Sequence, residues 1–232
     1  SASDVTSPQV GAGGAELGSP TYLSAKFGNG IFSDADDEGC TFPTAANSIN
    51  CSKGTIEFWA KVNFDPTYDD YCRLVDTYLS GHGSVILEFN KASDNFRARA
   101  YSSGSIVAEV DSGDFTWSSG DLIHFGLVWD REGNDIGGGK TLALYINGVE
   151  KGSTTDTWDA DTTNDNLYVG IKALDGLKPS NAVIDNLKTY DTCKTDFSDR
   201  LAEGEYTAPS NACQLWSKLE DGDDVRTPQI GA

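Results

Sequence analysis

The chain has no methionine, only two histidines, only 17 Lys and Arg against 36 Asp and Glu, and no apolar run near the length of a membrane span. A formal net charge of −19, uninterrupted by any Lys/Arg cluster, repels phosphate backbones and anionic headgroups. Nucleic acid and membrane surfaces are thereby excluded as partners, and cations are favoured. A spanning helix needs about 20 mostly apolar residues, so no membrane insertion is expected. The N-terminus lacks the charged-then-apolar order of a signal peptide. Without an initiator Met the chain is expected to be a processed or excised piece, in keeping with a secreted, extracellular protein whose signal has been removed.

Five cysteines occur, at 40, 51, 72, 193 and 213, but none forms a CxxC pair or a Cys/His zinc spacing. Cys40 and Cys51 bracket one short loop and Cys193 and Cys213 bracket a polar one. The simplest pairing is therefore two local disulfides with Cys72 left over, the alternative being five buried thiols. Helical periodicity is also scarce; only residues 196–204 read as a short helix, with Gly204 placed to end it.

What is abundant is alternation. Ile56, Phe58, Ala60 and Val62 alternate with Glu57, Trp59, Lys61 and Asn63, and the same period of two recurs over 85–89, 96–101 and 106–110. Further strands are expected at 123–129, 141–146, 167–171 and 182–190, separated by clusters of Gly, Asn, Asp and Ser. Asn147-Gly148 supplies the positive φ of a two-residue hairpin. With ten Phe, nine Tyr and five Trp to fill a core, the expectation is all-β: a two-sheet antiparallel sandwich.

The ends repeat one another. Asp4–Ala12 matches Asp224–Ala232 at six of nine positions with an offset of 220 residues, about one domain. The chain reads as one unit of a tandem array: a junction at 1–20, a domain at 21–221, and the start of the next junction at 222–232.

The segments Lys26–Ile31, Gly54–Trp59, His124–Asp130, Leu142–Gly148 and Val183–Tyr190 fall in the order and spacing of laminin-G-like domains of the concanavalin A-like superfamily, a resemblance covering about residues 21–191. It implies a jelly roll of two antiparallel sheets, a structural Ca2+, and a ligand site on one sheet or its rim loops. Such domains open with a strand before the Lys26 segment; here Gln214–Asp221 looks like that strand, placed last. It closes on its own chain or is lent to a neighbouring copy, which would build a fibre. The resemblance places the calcium ligands at Asp185, Glu220 and Asp221, with backbone oxygens near Gly11 or Asn29 completing the set. The acidic run Asp34–Gly39 starts like an EF-hand loop but has Ala45 where the bidentate Glu belongs.

Catalytic patterns are absent. The glucanases of the superfamily use a Glu-x-Asp-x-x-Glu arrangement to pair carboxylates, and neither this nor a Gly-x-Ser-x-Gly elbow occurs. Glu57, Glu88 and Glu109 stand singly on polar strand faces, where solvation is the ordinary expectation. Aromatics out of register with the core suit sugar stacking instead. The ligand-binding candidates are Trp59, Tyr101 and Tyr145, with Arg97 and Arg99 on the face of Tyr101. The expected function is a non-enzymatic adhesion module binding a glycan on a cell surface or in the matrix, the rivals being a fibre subunit and, behind it, a polysaccharide-active enzyme.

Overall fold

Alternate side chains of a strand point to opposite faces, so each period-two segment has one apolar face to bury. A computed structural model describes residues 12–78, 81–161, 165–173, 176–204, 209 and 212–220, and there these faces meet as two packed antiparallel sheets. The strands are β1 (Ala15–Leu17), β2 (Thr21–Ser24), β3 (Asn29–Ser33), β4 (Gly39–Pro43), β5 (Lys53–Val62), β6 (Cys72–Asp76), β7 (Ser84–Asn90) and β8 (Asn95–Ser102). They continue as β9 (Ser105–Asp111), β10 (Leu122–Asp130), β11 (Leu142–Ile146), β12 (Val149–Thr154), β13 (Asn166–Val169), β14 (Ala182–Tyr190) and β15 (Cys213–Ser217). One sheet runs β1-β4-β13-β6-β7-β8-β9; the other runs β12-β11-β10-β5-β14-β3-β2 with β15 added beside β14. This is the expected jelly-roll sandwich. Asn147 and Gly148 turn between β11 and β12 with φ of 50° and 75°, as the hairpin demands.

Between the sheets lie Ile56, Phe58 and Ala60 of β5, Phe125 and Leu127 of β10, Phe89 of β7 and Phe96 of β8, all fully buried. Phe96 centres the aromatic part, 4.6 Å from Trp117 and 4.7 Å from Phe125 between ring centroids. Removing such a ring costs about 3–5 kcal/mol, a large part of a domain's stability.

The C-terminal strand closes on its own chain. β3 pairs with residues 182–184 of β14 and β15 with residues 187–190, so the two lie end to end along one flank of β14. Leu215 and Leu219 are fully buried in the main core, while Trp216 is buried on the outer side. Along its other flank β14 carries a bulge opposite β5, between Asp185 and Lys188, and Asn186 there has φ of 53°. The extra residue turns the Asn186 amide outward, where its Oδ1 accepts from Trp216 Nε1 at 2.7 Å.

The outer face of the eight-stranded sheet is covered by the segment before and through α1 (Ser198–Leu201), a single turn within the span expected to be helical. Phe197 packs 5.4 Å from His124 and 5.1 Å from Tyr145, above Gly126. A Cβ at Gly126 would come within 2.5 Å of the Phe197 ring, so only glycine leaves room for that lid.

Two expectations are corrected. None of the five cysteines is joined in a disulfide. Cys40 is buried on β4, whereas Cys51 Sγ turns away to donate to Asp161 O at 2.8 Å. Cys193 donates to Trp129 O at 3.3 Å and Cys213 to Leu215 O at 3.0 Å, so neither the Cys40–Cys51 nor the Cys193–Cys213 bridge forms. Burial pushes the Cys193 and Cys213 thiols up to about 12, which keeps them protonated and unreactive. Residues 15–17, expected within the junction, instead form the edge strand β1 against β4. The repeated terminal segments lie outside the described residues, apart from Ala12.

Candidate ligand-binding cleft

Period two puts Arg97, Arg99 and Tyr101 on the outward side of β8, because Phe96, Ala98 and Ala100 fill the core. The register then sets Arg97 opposite Glu88 of β7, Glu88 opposite Arg73 of β6, and Arg97 opposite Asp111 of β9. A row of alternating charge thus crosses four strands. Glu88 Oε1 receives Arg97 Nη2 at 2.6 Å and lies 3.1 Å from Arg99 Nη1, while Oε2 lies 3.0 Å from Arg73 Nη2. Arg99 also reaches Glu109. Glu88 is 3% exposed and Arg73 7%, so this is a semi-buried network rather than a solvated surface.

The network floors a cleft of about 370 Å³ lined by Tyr71, Arg73, Glu88, Asn90, Arg97, Arg99 and Lys178. At its edge Lys178 Nζ sits 4.5 Å from the centre of the Tyr71 ring. Arg73 is incompletely matched: its Nε and Nη1 are buried and have no hydrogen-bond acceptor. Asp76 Oδ2, 3.5 Å from Arg73 Nε, attracts it as a charge, but its oxygens accept from the Tyr78 and Ala173 amides. Burial pushes the Asp76 carboxyl up against the pull of Arg73. Tyr101 stands beside Arg99 on β8, edge-on to Tyr78 at 4.8 Å.

The structure therefore brings Arg97, Arg99 and Tyr101 onto one face and separates them from the other two aromatic candidates. Trp59 and Tyr145 lie on the outer face of the opposite sheet, 5% and 6% exposed. Trp59 is covered by His124 at 5.2 Å and by Lys26 Nζ at 4.6 Å; Tyr145 is covered by Phe197 and donates to Glu150 at 3.2 Å. Neither ring is open to a sugar. Glu57 and Glu88, expected to be solvated, are buried instead. Arg73, Tyr71 and Lys178 were not singled out from sequence. The available signal was an arginine beside the apolar pair Leu74-Val75, too short a run to read as a strand.

Of the expected calcium ligands, Asp185 is fully buried and accepts the Phe27 amide at 2.8 Å. The Glu220 carboxylate lies against Gly28, where a Cβ would be 2.2 Å from Oε1. Both acids thus reach the same turn; Asp221 lies outside the described residues. A separate group, Asp130, Asp135 and Cys193, closes a loop: Asp130 accepts the amides of Glu132, Asn134 and Asp135 at 3.1, 2.6 and 2.7 Å.

Beneath α1 a second ionic cluster fastens the C-terminal region to the eight-stranded sheet. Glu57 accepts from Tyr190 Oη at 2.8 Å and from Lys194 Nζ at 3.1 Å, with Arg200 Nε at 3.4 Å. Glu203 binds Lys188 at 2.8 Å and Arg200 at 3.0 Å.

Two antiparallel sheets with a polar cleft on the outward face of one define a lectin-like jelly roll. The chain belongs to the concanavalin A-like lectin/glucanases superfamily, its laminin G-type model matching residues 34–196. Among solved structures, the chain is similar to domain 4 of AbnA, a GH43 extracellular arabinanase of Geobacillus stearothermophilus in complex with arabinotriose (19% identity, TM-score 0.56, 80% of this chain and 82% of that one). It is also similar to a heptameric SAP-like pentraxin of Limulus polyphemus (11%, 0.53, 87% of each). A third is the binding domain of botulinum neurotoxin DC in complex with SialylT (12%, 0.59, 82% of this chain and 45% of that one). At these identities the likeness establishes the fold. No curated protein matches the sequence. Among the described residues no helix is long and apolar enough to cross a membrane.

Proposed function

We propose that this is a non-catalytic extracellular adhesion module, one unit of a repeated surface or matrix protein, that holds a glycan in the cleft over β6, β7 and β8. The observation that carries the reading is the convergence of Arg73, Arg97, Arg99 and Asn90 donors with the Tyr71 ring on one outward-facing cleft. Sugars are bound by directed polar groups of this kind, and the half-buried Tyr71 ring, shared with the Lys178 and Lys91 ammonium groups, adds apolar surface at the edge. The relatives in complex with arabinotriose and with SialylT support a glycan as ligand. Glycoside hydrolysis ordinarily needs two carboxyl groups flanking the bond, and the one acid lining this cleft, Glu88, is ion-paired to three arginines. That supports binding over cleavage. The pairing of β15 with β14 of the same chain supports a self-contained module over a fibre subunit that exchanges this strand.

Calcium is proposed as a stabilising ion. Asp185 and Glu220, reaching the Phe27–Gly28 turn from β14 and from the exit of β15, would hold it with backbone oxygens, hard donors suited to that cation. It would supply charge neutralisation tying the C-terminal strand to the turn.

A glycan array in calcium buffer tests the reading. At least one glycan class should bind, and binding should be lost in Arg97→Ala and weakened in Tyr101→Ala, with circular dichroism confirming the fold. An array blank for the folded protein overturns it.

A further inference from the structure

We infer that the cleft selects sugars bearing an isolated carboxylate, and that Arg73 is the side chain that reads it. The inference rests on the glycan-binding reading above and narrows it to a chemical class.

Arg73 is the reason. An arginine 93% out of contact with water is ordinarily bonded through its guanidinium, yet Nε and Nη1 have no acceptor. Leaving a charged donor buried and unbonded is costly, and a turn of the guanidinium toward an oxygen held in the cleft removes that cost. An anionic oxygen does so best, because hydrogen bonds between ionised partners are about twice as strong as neutral ones.

The lining charge agrees. Four cations, Arg73, Arg97, Arg99 and Lys178, face the cleft against the single carboxylate of Glu88. Glu109, Asp111 and Asp76 offset them from behind: Glu109 is engaged by Arg99, Asp111 stands opposite Arg97 on β9, and Asp76 is held by backbone amides. The excess of positive charge is thus confined to the side chains that face the cleft, on a chain of net charge −19 that holds only 17 Lys and Arg.

The rest of the surface sets the limit. At physiological salt, charges are screened beyond about 8 Å, so a lone carboxylate in the cleft feels chiefly the cleft. A densely charged polyanion would extend past it onto acidic surface. Sugars with one acidic group per residue or fewer are therefore selected over heavily sulfated chains.

Titration calorimetry on the folded chain provides the test, using a galacturonate oligosaccharide, its methyl ester, 3′-sialyllactose, lactose and heparin. At least one of the two carboxylated sugars should bind about ten-fold or more tighter than its neutral counterpart, and which one does so distinguishes a uronate from a sialic acid. Heparin should bind more weakly than that sugar. Arg73→Gln should abolish the preference. Because that change also unpairs Glu88, Lys178→Ala at the rim serves as the second variant, and should reduce acid binding about two- to five-fold without moving the melting temperature. Equal binding of acid and neutral forms overturns the inference and leaves the glycan module standing, and so does tighter binding of heparin. Failure of every sugar, neutral or acidic, overturns both.

Discussion

Arg97 donates to Glu88 at 2.6 Å across the β7–β8 pair, and both side chains are nearly out of water, 11% and 4% exposed. One carboxylate there is shared by three guanidinium groups. Removing one partner of a buried ionic cluster costs more than the cluster contributes, because the remaining charges stay desolvated. Glu88→Gln keeps the shape and removes the charge, leaving Arg73, Arg97 and Arg99 to repel one another. The expected loss is about 3 kcal/mol in urea denaturation. A loss below about 0.5 kcal/mol would mean that solvent already screens the arginines.

Acid should loosen the opposite sheet. Burial alone would raise the Glu57 carboxyl, but His124, Arg200 and Lys194 outweigh it and hold it at about 2. The unfolded carboxyl titrates near 4.5, so this contribution is complete above pH 4.5 and lost as pH falls from there toward about 2. Burial depresses the His124 imidazole below its ordinary 6.5; neutral in the fold, it takes up a proton on unfolding. Its effect has the same sign, eroding stability as pH drops below 6.5. Urea midpoints measured from pH 8 to pH 3 should be level at the alkaline end and decline toward acid. Replacing His124 by Leu should flatten the upper part of the decline. Midpoints that rise between pH 7 and pH 5 contradict the assignment.

Alternation along β5, β8 and β10 was enough to place the main core and to put Arg97, Arg99 and Tyr101 on one face. It could not say what lies over a face. Glu57 and Glu88 read as solvated because polar-face positions usually are, yet Glu57 is covered by Arg200 and Lys194 from more than 130 positions away, and Glu88 is enclosed by arginines of two neighbouring strands. The same blindness misplaced Trp59 and Tyr145. They were legible as lying outside the main core, but the Phe197 lid and the Lys26 contact are tertiary facts. β15 was legible despite its position through the resemblance, which called for an opening strand that only Gln214–Asp221 could supply, and the burial of Leu215 and Leu219 is what such a strand would show.

Calcium should raise the melting temperature and EDTA should lower it. A ligand that binds only the native state stabilises by about 2.7 kcal/mol at a hundred times its dissociation constant. Asp185→Asn should erase the response and Glu220→Gln should shrink it, each variant's calcium shift being read against its own melting curve in EDTA, because Asp185 also holds the Phe27 amide. Superimposable melting curves in EDTA and calcium would remove the ion from the proposal.

Deleting residues 213–232 should cost most of the fold's stability. Leu215 and Leu219 are fully buried in the core, and each such side chain is worth about 1.5–3 kcal/mol. Loss of Trp216 adds to this, since its ring lies over the Lys188 ammonium at 5.4 Å and its Nε1 bonds Asn186. The sum reaches the lower part of the roughly 5–15 kcal/mol typical of a domain. Truncation also bares residues 187–190 of β14 as an unpaired edge, the arrangement that templates association with other strands. The truncated chain should therefore elute as aggregates in size-exclusion chromatography, and a synthetic peptide spanning residues 212–220 should return it to the monomer by adding back the missing strand. A truncated chain that stays monomeric, melts at the same temperature and ignores the peptide would reduce β15 to a tether, and its place in the sheet would then carry no energetic weight.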